Sequence, residues 1–435
     1  MTRMIRLLPL WLTLAAPAVA QTPPVTQDPA RPLLADTQAL FDSYVREGRM
    51  PGIVGAFGRG DSATLFVTAG RIADTPAAPA AGPDTLWRIY SMTKPITGMA
   101  VMKLVEEGRI GLDDPVAKYI PAFAKMRVLT HPDTSLESVP ARQAITIRHL
   151  LTHTSGLGYS INAHGPLLRE YERLGLVPLA INAMAEAKMR ATRPATLAEF
   201  ADRVATVPLV AEPGTRWRYS IGFDVLGRVI EVASGMPFDR FLQTRFFTPL
   251  KMDSTVFTVP AGDAGRLATN YAVIGATLAP LDPGRTSVFL TPPSFPYGGA
   301  GLVSSARDYD RFLHMLQNGG TLDGVRVMKA ETVRLALSNL LPAGVVFGGA
   351  GMVTGDRPGA AQGFGAGGSV RLADEAGGPG KGTFGWAGAA GSIGWVDPTR
   401  GIRGTVMVNI MGGDVPLAEQ VGAALLRDAK RLHGE

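Results

Sequence analysis

The sequence predicts an α+β protein in which an antiparallel sheet, flanked by helices, is interrupted by a mostly helical insertion. Two observations lead to this prediction. Short segments of strand-forming residues separated by glycine turns occur near both ends of the chain, whereas the stretch between them carries apolar residues at helical spacing. At 435 residues the chain is also long enough to form two lobes.

The first twenty residues predict a secretory signal peptide. Arg3 and Arg6 precede an apolar run that ends in the small-residue cleavage pattern Ala-Val-Ala at residues 18–20. This run is too short to span a bilayer, and a chain without cysteine has no thiol to carry a lipid or form a disulfide. We therefore expect export to the periplasm or the medium without a stable membrane anchor. The proline-rich residues 21–32 are expected to form a flexible arm.

The net charge of +6 is modest and argues against nucleic acid as a partner. Basic and acidic side chains are interspersed, as in residues 46–49 and 169–173, so they are typical of solvated faces. No later stretch is apolar for long enough to cross a membrane. A small molecule is therefore the expected partner, and the oligomeric state stays open.

The sheet domain is predicted to begin with residues 33–90. A helix is expected over residues 33–47, where apolar residues recur at helical spacing until a Met-Pro-Gly stop. Two strands follow, at residues 53–57 and 63–69, joined by a Gly-Arg-Gly-Asp hairpin signal.

Residues 91–290 are assigned to a mainly helical domain, and residues 291–435 complete the sheet domain. A helix is expected to begin after Ser305 and to end near Leu316. No function is assigned to the glycine-rich segment 344–382. The remaining predicted elements are strands at 365–372, 382–386, 392–396 and 404–411 and an amphipathic helix at 417–432.

The stretch from Leu86 to Val101 carries the most informative residues. Ser91 and Lys94 lie three positions apart where a helical pattern begins, so their side chains are expected on one face. A desolvated lysine can accept the serine proton in its neutral form, which lets a Ser-Lys pair start acyl transfer without histidine. The helix N-terminus also offers free backbone N–H groups to developing negative charge. The alternative is that Ser91 is only an N-cap.

Two further segments are candidates for the same site. Tyr219 follows the Glu-Pro-Gly-Thr turn at residues 212–215 and precedes a helix, where its phenol could shuttle a proton beside an ammonium group or simply pack. Residues 385–391, Gly-Trp-Ala-Gly-Ala-Ala-Gly, lie on a predicted strand and turn. Glycines there would allow a backbone N–H to reach a ligand, and the alternative is a tight hairpin packed by Trp386.

These three segments, in this order, resemble the serine β-lactamase and penicillin-binding protein superfamily, specifically the class C β-lactamase-like branch that includes carboxylesterases. Two longer stretches support the resemblance, Leu-Asp-Asp-Pro-Val at residues 112–116 and Ile-Arg-His-Leu-Leu-Thr-His-Thr-Ser-Gly-Leu at residues 147–157. The resemblance covers residues 33–426 and implies a β-lactamase/transpeptidase-like fold.

The resemblance also implies a role for each candidate residue. Ser91 would be the acylated nucleophile, Lys94 its base and Tyr219 the proton shuttle for the leaving group and water. The backbone N–H groups of Ser91 and Ala389 would form the oxyanion hole. No metal and no cofactor are implied.

Two departures from the family pattern indicate the substrate. The family's Tyr-x-Asn motif has Ile221 in place of asparagine, and its Lys-Thr-Gly triad is replaced by Trp386, Ala387 and Gly388. In β-lactam-binding relatives the triad lysine helps to hold a substrate carboxylate, whereas Trp386 offers an apolar wall. We therefore expect a carboxylesterase that prefers uncharged acyl groups, with these four residues in its substrate site. Lys381, five residues before the tryptophan, could restore the charge if it swung into the cleft.

Other functions stay open. A β-lactamase or a D-amino-acid-specific peptidase would use the same machinery, and a β-lactam sensor would be acylated without turnover. A zinc site at His149 and His153, four residues apart, is disfavoured because no glutamate follows the first histidine. An α/β-hydrolase is excluded because the chain has no Gly-x-Ser-x-Gly elbow.

Overall fold

The structure is a computed structural model that describes residues 33–178, 181–275, 277–347, 361–375, 378–413 and 415–433. The predicted signal peptide and arm, residues 1–32, lie outside the described residues, and so does part of the glycine-rich segment 344–382. Export therefore stays a prediction. Within the described part of the chain, no helix combines the length and apolar character that crossing a membrane requires.

The strands form an antiparallel main sheet and several small sheets. The strands are β1 (Gly52–Arg59), β2 (Leu65–Gly70), β3 (Trp87–Arg88), β4 (Arg127–Leu129), β5 (Ser138–Pro140), β6 (Asn270–Ile274), β7 (Thr277–Asp282), β8 (Val303–Ser304), β9 (Thr321–Leu322), β10 (Val325–Arg326), β11 (Gln362–Phe364), β12 (Ser369–Arg371), β13 (Phe384–Ala387), β14 (Ile393–Asp397), β15 (Ile402–Met407) and β16 (Ile410–Met411). In the main sheet the order is β11-β12-β13-β14-β15-β1-β2.

Most helices lie between β2 and β11, and one closes each end of the described chain. They are α1 (Ala35–Arg46), α2 (Thr93–Glu106), α3 (Ile147–Leu151), α4 (Gly165–Arg173), α5 (Ala183–Met189), α6 (Leu197–Thr206), α7 (Gly222–Ser234), α8 (Phe238–Leu242), α9 (Thr248–Leu250), α10 (Ala306–Gln317), α11 (Ala330–Ala336) and α12 (Leu417–His433). The predicted α+β class, with an antiparallel sheet and flanking helices, is confirmed.

The main sheet joins the two ends of the described chain. β1 pairs with β15 so that Val54 lies opposite Met407. The helices beside them are tied together as well, because the Asp428 carboxylate in α12 accepts the backbone N–H of Thr37 at 3.0 Å and its hydroxyl at 2.7 Å. The sheet is therefore complete only when both ends are in place.

Two apolar cores lie on opposite faces of this sheet, as the alternation of side chains along β1 shows. Val54 and Ala56 pack in one core with α2 and α10, whereas Ile53 and Phe57 pack in the other with α1 and α12. Because α2 lies in the first core, its N-terminal turn is held between the sheet and the helical part of the molecule.

The prediction of a strand over residues 365–372 is confirmed only for β12, residues 369–371, and is wrong for the residues before it. The chain reverses there between β11 and β12, and Gly367 in the turn has a φ of 90°, which favours glycine. A Cβ on Gly367 would lie 2.4 Å from the carbonyl oxygen of Lys94, so the turn packs directly on α2. Strands β6 and β7 form a hairpin inside the stretch assigned to the mainly helical domain. The division into domains stays a prediction.

Candidate active site

Ser91 lies in a short 3₁₀ turn, Tyr90–Met92, immediately before α2. The preceding residue, Tyr90, has a φ of 40°, a left-handed conformation that costs a residue with a side chain about 1 kcal/mol or more. The strand leading into this turn is fixed by a buried ion pair in which Arg88 Nη2 lies 2.6 Å from Asp282 Oδ2. The half-buried serine is therefore held at the start of a helix, as the sequence predicts.

Lys94 and Tyr219 both reach the Ser91 hydroxyl. Lys94 Nζ lies 3.2 Å from Ser91 Oγ, and the Tyr219 hydroxyl lies 2.7 Å from the same oxygen. Lys94 Nζ also lies 4.6 Å from the centroid of the Tyr219 ring, and the lysine side chain is fully buried. The structure thus brings together the three side chains that the sequence singled out as catalytic candidates.

A backbone carbonyl and a buried carboxylate complete the surroundings of the lysine. Lys94 Nζ donates to the carbonyl oxygen of Gly299 at 2.7 Å, and the Gly299 N–H donates to Asp224 Oδ1 at 2.9 Å. Burial raises the pKa of Asp224 to about 6, against the opposing effects of the Gly299 hydrogen bond and the Lys94 charge. Sequence reasoning missed both residues. A carbonyl leaves no side-chain signal, and an acid in the first turn of a helix is usually explained by the helix dipole.

Tyr159 is a second phenol beside this site that sequence reasoning also missed. Its ring lies 5.7 Å from the Tyr219 ring, and Lys94 Nζ lies 6.0 Å from its centroid. Burial raises the pKa of the Tyr159 phenol well above its ordinary value, so this group stays protonated.

The two histidines considered as zinc ligands have separate structural partners. His149 Nδ1 accepts the backbone N–H of Thr146 in the capping box of α3. His153 Nδ1 accepts the N–H of Ser220 at 3.1 Å, and its ring lies 4.7 Å from that of Tyr219. In the described ranges, no group of three His, Cys, Asp or Glu side chains is arranged to hold a metal ion.

The expected oxyanion donors lie on two segments that meet. Ala389 is in the turn after β13, where the Gly388 N–H donates to the Ser392 carbonyl oxygen at 2.8 Å. A Cβ on Gly388 would lie 2.4 Å from the carbonyl oxygen of Ile89, so the end of β13 packs against the turn that carries Ser91. Among the described residues, neither the Ser91 N–H nor the Ala389 N–H donates a hydrogen bond to another group. Both are therefore available to a ligand.

Aromatic rings surround Tyr219. Trp386 is 2% exposed, and its ring centroid lies 6.0 Å from that of Tyr219 and 5.2 Å from that of Phe364. Trp217 stacks on Tyr219 at 6.2 Å, and Phe347 packs against both tryptophans. Trp386 is thus part of the second core as well as a neighbour of the catalytic candidates.

Two other predicted substrate residues are also buried. Ile221 is the N-cap of α7 and is 1% exposed, with its N–H donating to the carbonyl oxygen of Gly158. Ala387, at the end of β13, packs in the second core. The Ile221 side chain packs in the first core.

Lys381 does not supply the missing cation in this structure. It is exposed in the turn before β13, where its N–H donates to Asp374 Oδ1 and its carbonyl accepts the Thr399 hydroxyl. This turn is at the opposite end of β13 from Ala387, roughly 15–20 Å away at about 3.3 Å per residue. Lys381 is therefore separated from the predicted triad position, residues 386–388, by the length of β13.

Comparison with known proteins adds independent findings. A family model described as Beta-lactamase matches residues 37–428. Protein Rv1367c of Mycobacterium tuberculosis is 39% identical over 73% of this chain and 75% of its own length. Esterase EstB of Burkholderia gladioli is 34% identical over 66% and 71%. The solved structure of "EstCE1, a hydrolase with promiscuous acyltransferase activity" superposes with a TM-score of 0.71, at 26% identity over 91% of this chain and 98% of its own.

Proposed function

The chain belongs to the beta-lactamase family, and from that premise we propose that it is a serine hydrolase that cleaves carboxylic esters through an acyl-enzyme on Ser91. This membership confirms the resemblance seen in the sequence, and the similarity to EstCE1 confirms the β-lactamase/transpeptidase-like fold. The observation that carries the proposal is the convergence of Lys94 Nζ and the Tyr219 hydroxyl on Ser91 Oγ.

In the first half of the proposed reaction, Ser91 Oγ attacks the ester carbonyl carbon while its proton passes to Lys94 or Tyr219. Both groups lie within hydrogen-bond distance of that oxygen, which is the geometric requirement for a general base. The carbonyl oxygen becomes an oxyanion, which the N–H groups of Ser91 and Ala389 would stabilise. The carbon–oxygen bond to the alcohol then breaks, and the alcohol leaves with a proton returned by the Lys94/Tyr219 pair.

In the second half, water takes the place of the alcohol. Its proton passes to the same pair, its oxygen attacks the acyl carbon, and the bond to Ser91 Oγ breaks as the serine recovers its proton. The Gly299 carbonyl holds the lysine amine in place throughout, because it accepts a hydrogen bond from Nζ at 2.7 Å. The free acid and the original enzyme are the products.

The preference for esters over β-lactams is supported by the aromatic surroundings of Tyr219. A penicillin or cephalosporin carries a carboxylate that needs a cationic partner. The resemblance aligns Trp386 with the family's lysine, and the Trp386 ring centroid lies 6.0 Å from that of Tyr219. The relationship to an esterase, EstB, at 34% identity supports the same substrate class.

The test compares p-nitrophenyl butyrate with a chromogenic cephalosporin, using Ser91→Ala as the control for each substrate. We expect Ser91-dependent ester cleavage with kcat/KM at least about tenfold above that for the cephalosporin. Faster cephalosporin hydrolysis would instead establish a β-lactamase, and stable acylation by penicillin without release would establish a sensor. Methanol added to the ester assay shows whether an alcohol can replace water as the acyl acceptor, a relevant question because EstCE1 is described as a hydrolase with promiscuous acyltransferase activity.

Trp386 is expected to influence which acyl chain the site accepts. Because this side chain is 2% exposed, Trp386→Ala would cost about 3–5 kcal/mol of stability and obscure any change in specificity. Trp386→Phe keeps an aromatic ring against Phe364 and enlarges the space beside Tyr219. We expect it to raise kcat/KM for octanoate relative to butyrate esters by about threefold or more. An unchanged chain-length profile would show that Trp386 serves only the core.

A further inference from the structure

The segment that carries Tyr219 lies outside any helix or strand and is held by hydrogen bonds to a single loop, residues 153–162. Six contacts connect residues 218–221 to this loop. Four involve a backbone group of the Tyr219 segment: the Arg218 N–H donates to the His153 carbonyl oxygen (2.9 Å), the Ser220 N–H to His153 Nδ1 (3.1 Å), Asn162 Nδ2 to the Tyr219 carbonyl oxygen (3.0 Å) and the Ile221 N–H to the Gly158 carbonyl oxygen (3.2 Å). The other two involve side chains of the segment: Arg218 Nη2 donates to the Asn162 carbonyl oxygen at 3.2 Å, and the Ser220 hydroxyl lies 3.0 Å from His153 Nδ1.

His153 contacts Tyr219 and both of its neighbours. Its carbonyl accepts from Arg218, its ring packs on Tyr219 at 4.7 Å, and its Nδ1 accepts from Ser220. To do so it adopts a φ of 55°, a left-handed conformation that costs about 1–2 kcal/mol for a residue with a side chain. Such a conformation persists only where the surrounding structure enforces it.

The hydrogen bond from Ser220 also fixes the protonation state of this histidine. Because a backbone N–H donates to Nδ1, this nitrogen carries no proton and accepts the bond with its lone pair. The proton of the neutral ring therefore lies on Nε2. The side chain is 1% exposed, and burial, together with the charge of Lys94, lowers the pKa of His153 well below its usual range. The imidazole is therefore neutral, and none of the hydrogen bonds of the described residues joins it to Ser91 or Lys94.

We propose that His153 is a positioning residue for Tyr219, whose phenol it aims at Ser91 Oγ by accepting the Ser220 N–H at Nδ1. This inference rests on the proposed role of Tyr219 in ester hydrolysis. A phenol displaced by about 1 Å from its reacting partner can lose roughly a hundredfold in rate. The structural cost of holding His153 in a left-handed conformation is thus offset by the placement of the Tyr219 hydroxyl 2.7 Å from the nucleophile.

Two substitutions separate the hydrogen bond from the packing of the ring. In asparagine the acceptor Oδ1 is bonded to Cγ, as Nδ1 is in histidine, and asparagine also tolerates a positive φ. Phenylalanine keeps an aromatic ring but has no hydrogen-bond acceptor. We expect His153→Asn to keep kcat within about threefold of wild type. We expect His153→Phe to lower it at least about thirtyfold with KM nearly unchanged. A His153→Phe enzyme as active as wild type, or an Asn variant as impaired as the Phe variant, would overturn the proposal.

Two controls keep the outcome clear. Ser220→Ala removes the hydroxyl that lies 3.0 Å from Nδ1 but keeps the backbone N–H, so its kcat should stay within about twofold of wild type. If His153→Phe does not fold, the proposal is tested on the wild-type enzyme, where nitrogen NMR shows which ring nitrogen of His153 carries the proton. A neutral ring protonated at Nε2 is expected at pH 7, and a proton on Nδ1 would refute the proposal. Equal ester hydrolysis by wild type and Ser91→Ala would mean that the proposed function itself had failed.

Discussion

The Ser91→Ala variant is expected to hydrolyse p-nitrophenyl butyrate with a kcat at least about a thousandfold below that of wild type, while its Tm stays the same. The hydroxyl oxygen is the atom on which Lys94 and Tyr219 converge, and it is the atom that the proposed acyl-enzyme requires. Removing one half-buried oxygen opens no cavity in either core, so stability should not change.

A matched control for this serine is Ser160, in the loop of residues 153–162. Ser160 is half-buried, and its Oγ has no hydrogen-bond partner among the described residues. Ser160→Ala should therefore hydrolyse the ester within about twofold of the wild-type rate. The measurement is steady-state kinetics with thermal denaturation of each variant. A Ser91→Ala enzyme within tenfold of wild type would exclude an acyl-enzyme at this position.

Lys94→Met is expected to lower kcat by a similar factor, at least about a thousandfold. Methionine matches the length of the buried lysine stem but accepts no proton and leaves the Gly299 carbonyl oxygen without its donor. Arginine would not restore activity, because its guanidinium does not lose a proton in a protein.

Lys103 on the same helix provides the control. It lies near the C-terminal end of α2, where its ammonium group pairs with Glu106 at 2.6 Å and Glu107 at 3.8 Å. Only 15% of the Lys103 side chain is exposed, so Lys103→Met also removes a largely buried ammonium group from α2, but at the opposite end of the helix from Ser91. It should therefore leave kcat within about twofold of wild type. Equal losses in the two variants would show that Lys94 acts through stability and not as a base.

Local patterns predicted the parts of the site that depend on local structure. The apolar spacing after Ser91 indicates a helix, which is α2, and the turn before Tyr219 leads into α7. The glycines around Ala389 indicate a strand end, and β13 ends two residues before it. In each case the residues that determine the structure are neighbours in the chain.

The rest of the site depends on contacts between distant segments. Gly299 accepts a hydrogen bond from Lys94 although the two residues are 205 positions apart, and it contributes only backbone atoms. Asp224, which accepts the Gly299 N–H, is 75 positions from Gly299. His153 is part of a family stretch in the sequence, but only the tertiary structure places its ring against Tyr219. The error over residues 365–372 has a related cause, because the reversal there packs Gly367 on α2 and local spacing contains no sign of that contact.

The pairing of β1 with β15 and of α1 with α12 has a consequence for how the enzyme becomes active. Thr37 and Asp428 are 391 positions apart, and contacts of such long range form slowly because the intervening chain must first be closed into a loop. The helical part, rich in local contacts, can assemble earlier. Ser91 precedes α2 and Ala389 follows β13, so the two N–H groups proposed to hold the oxyanion come together only after the C-terminal strands have docked on the sheet. During refolding, ester hydrolysis would therefore recover more slowly than the helical circular dichroism signal. The rate at which the activity recovers would report the rate at which the sheet closes.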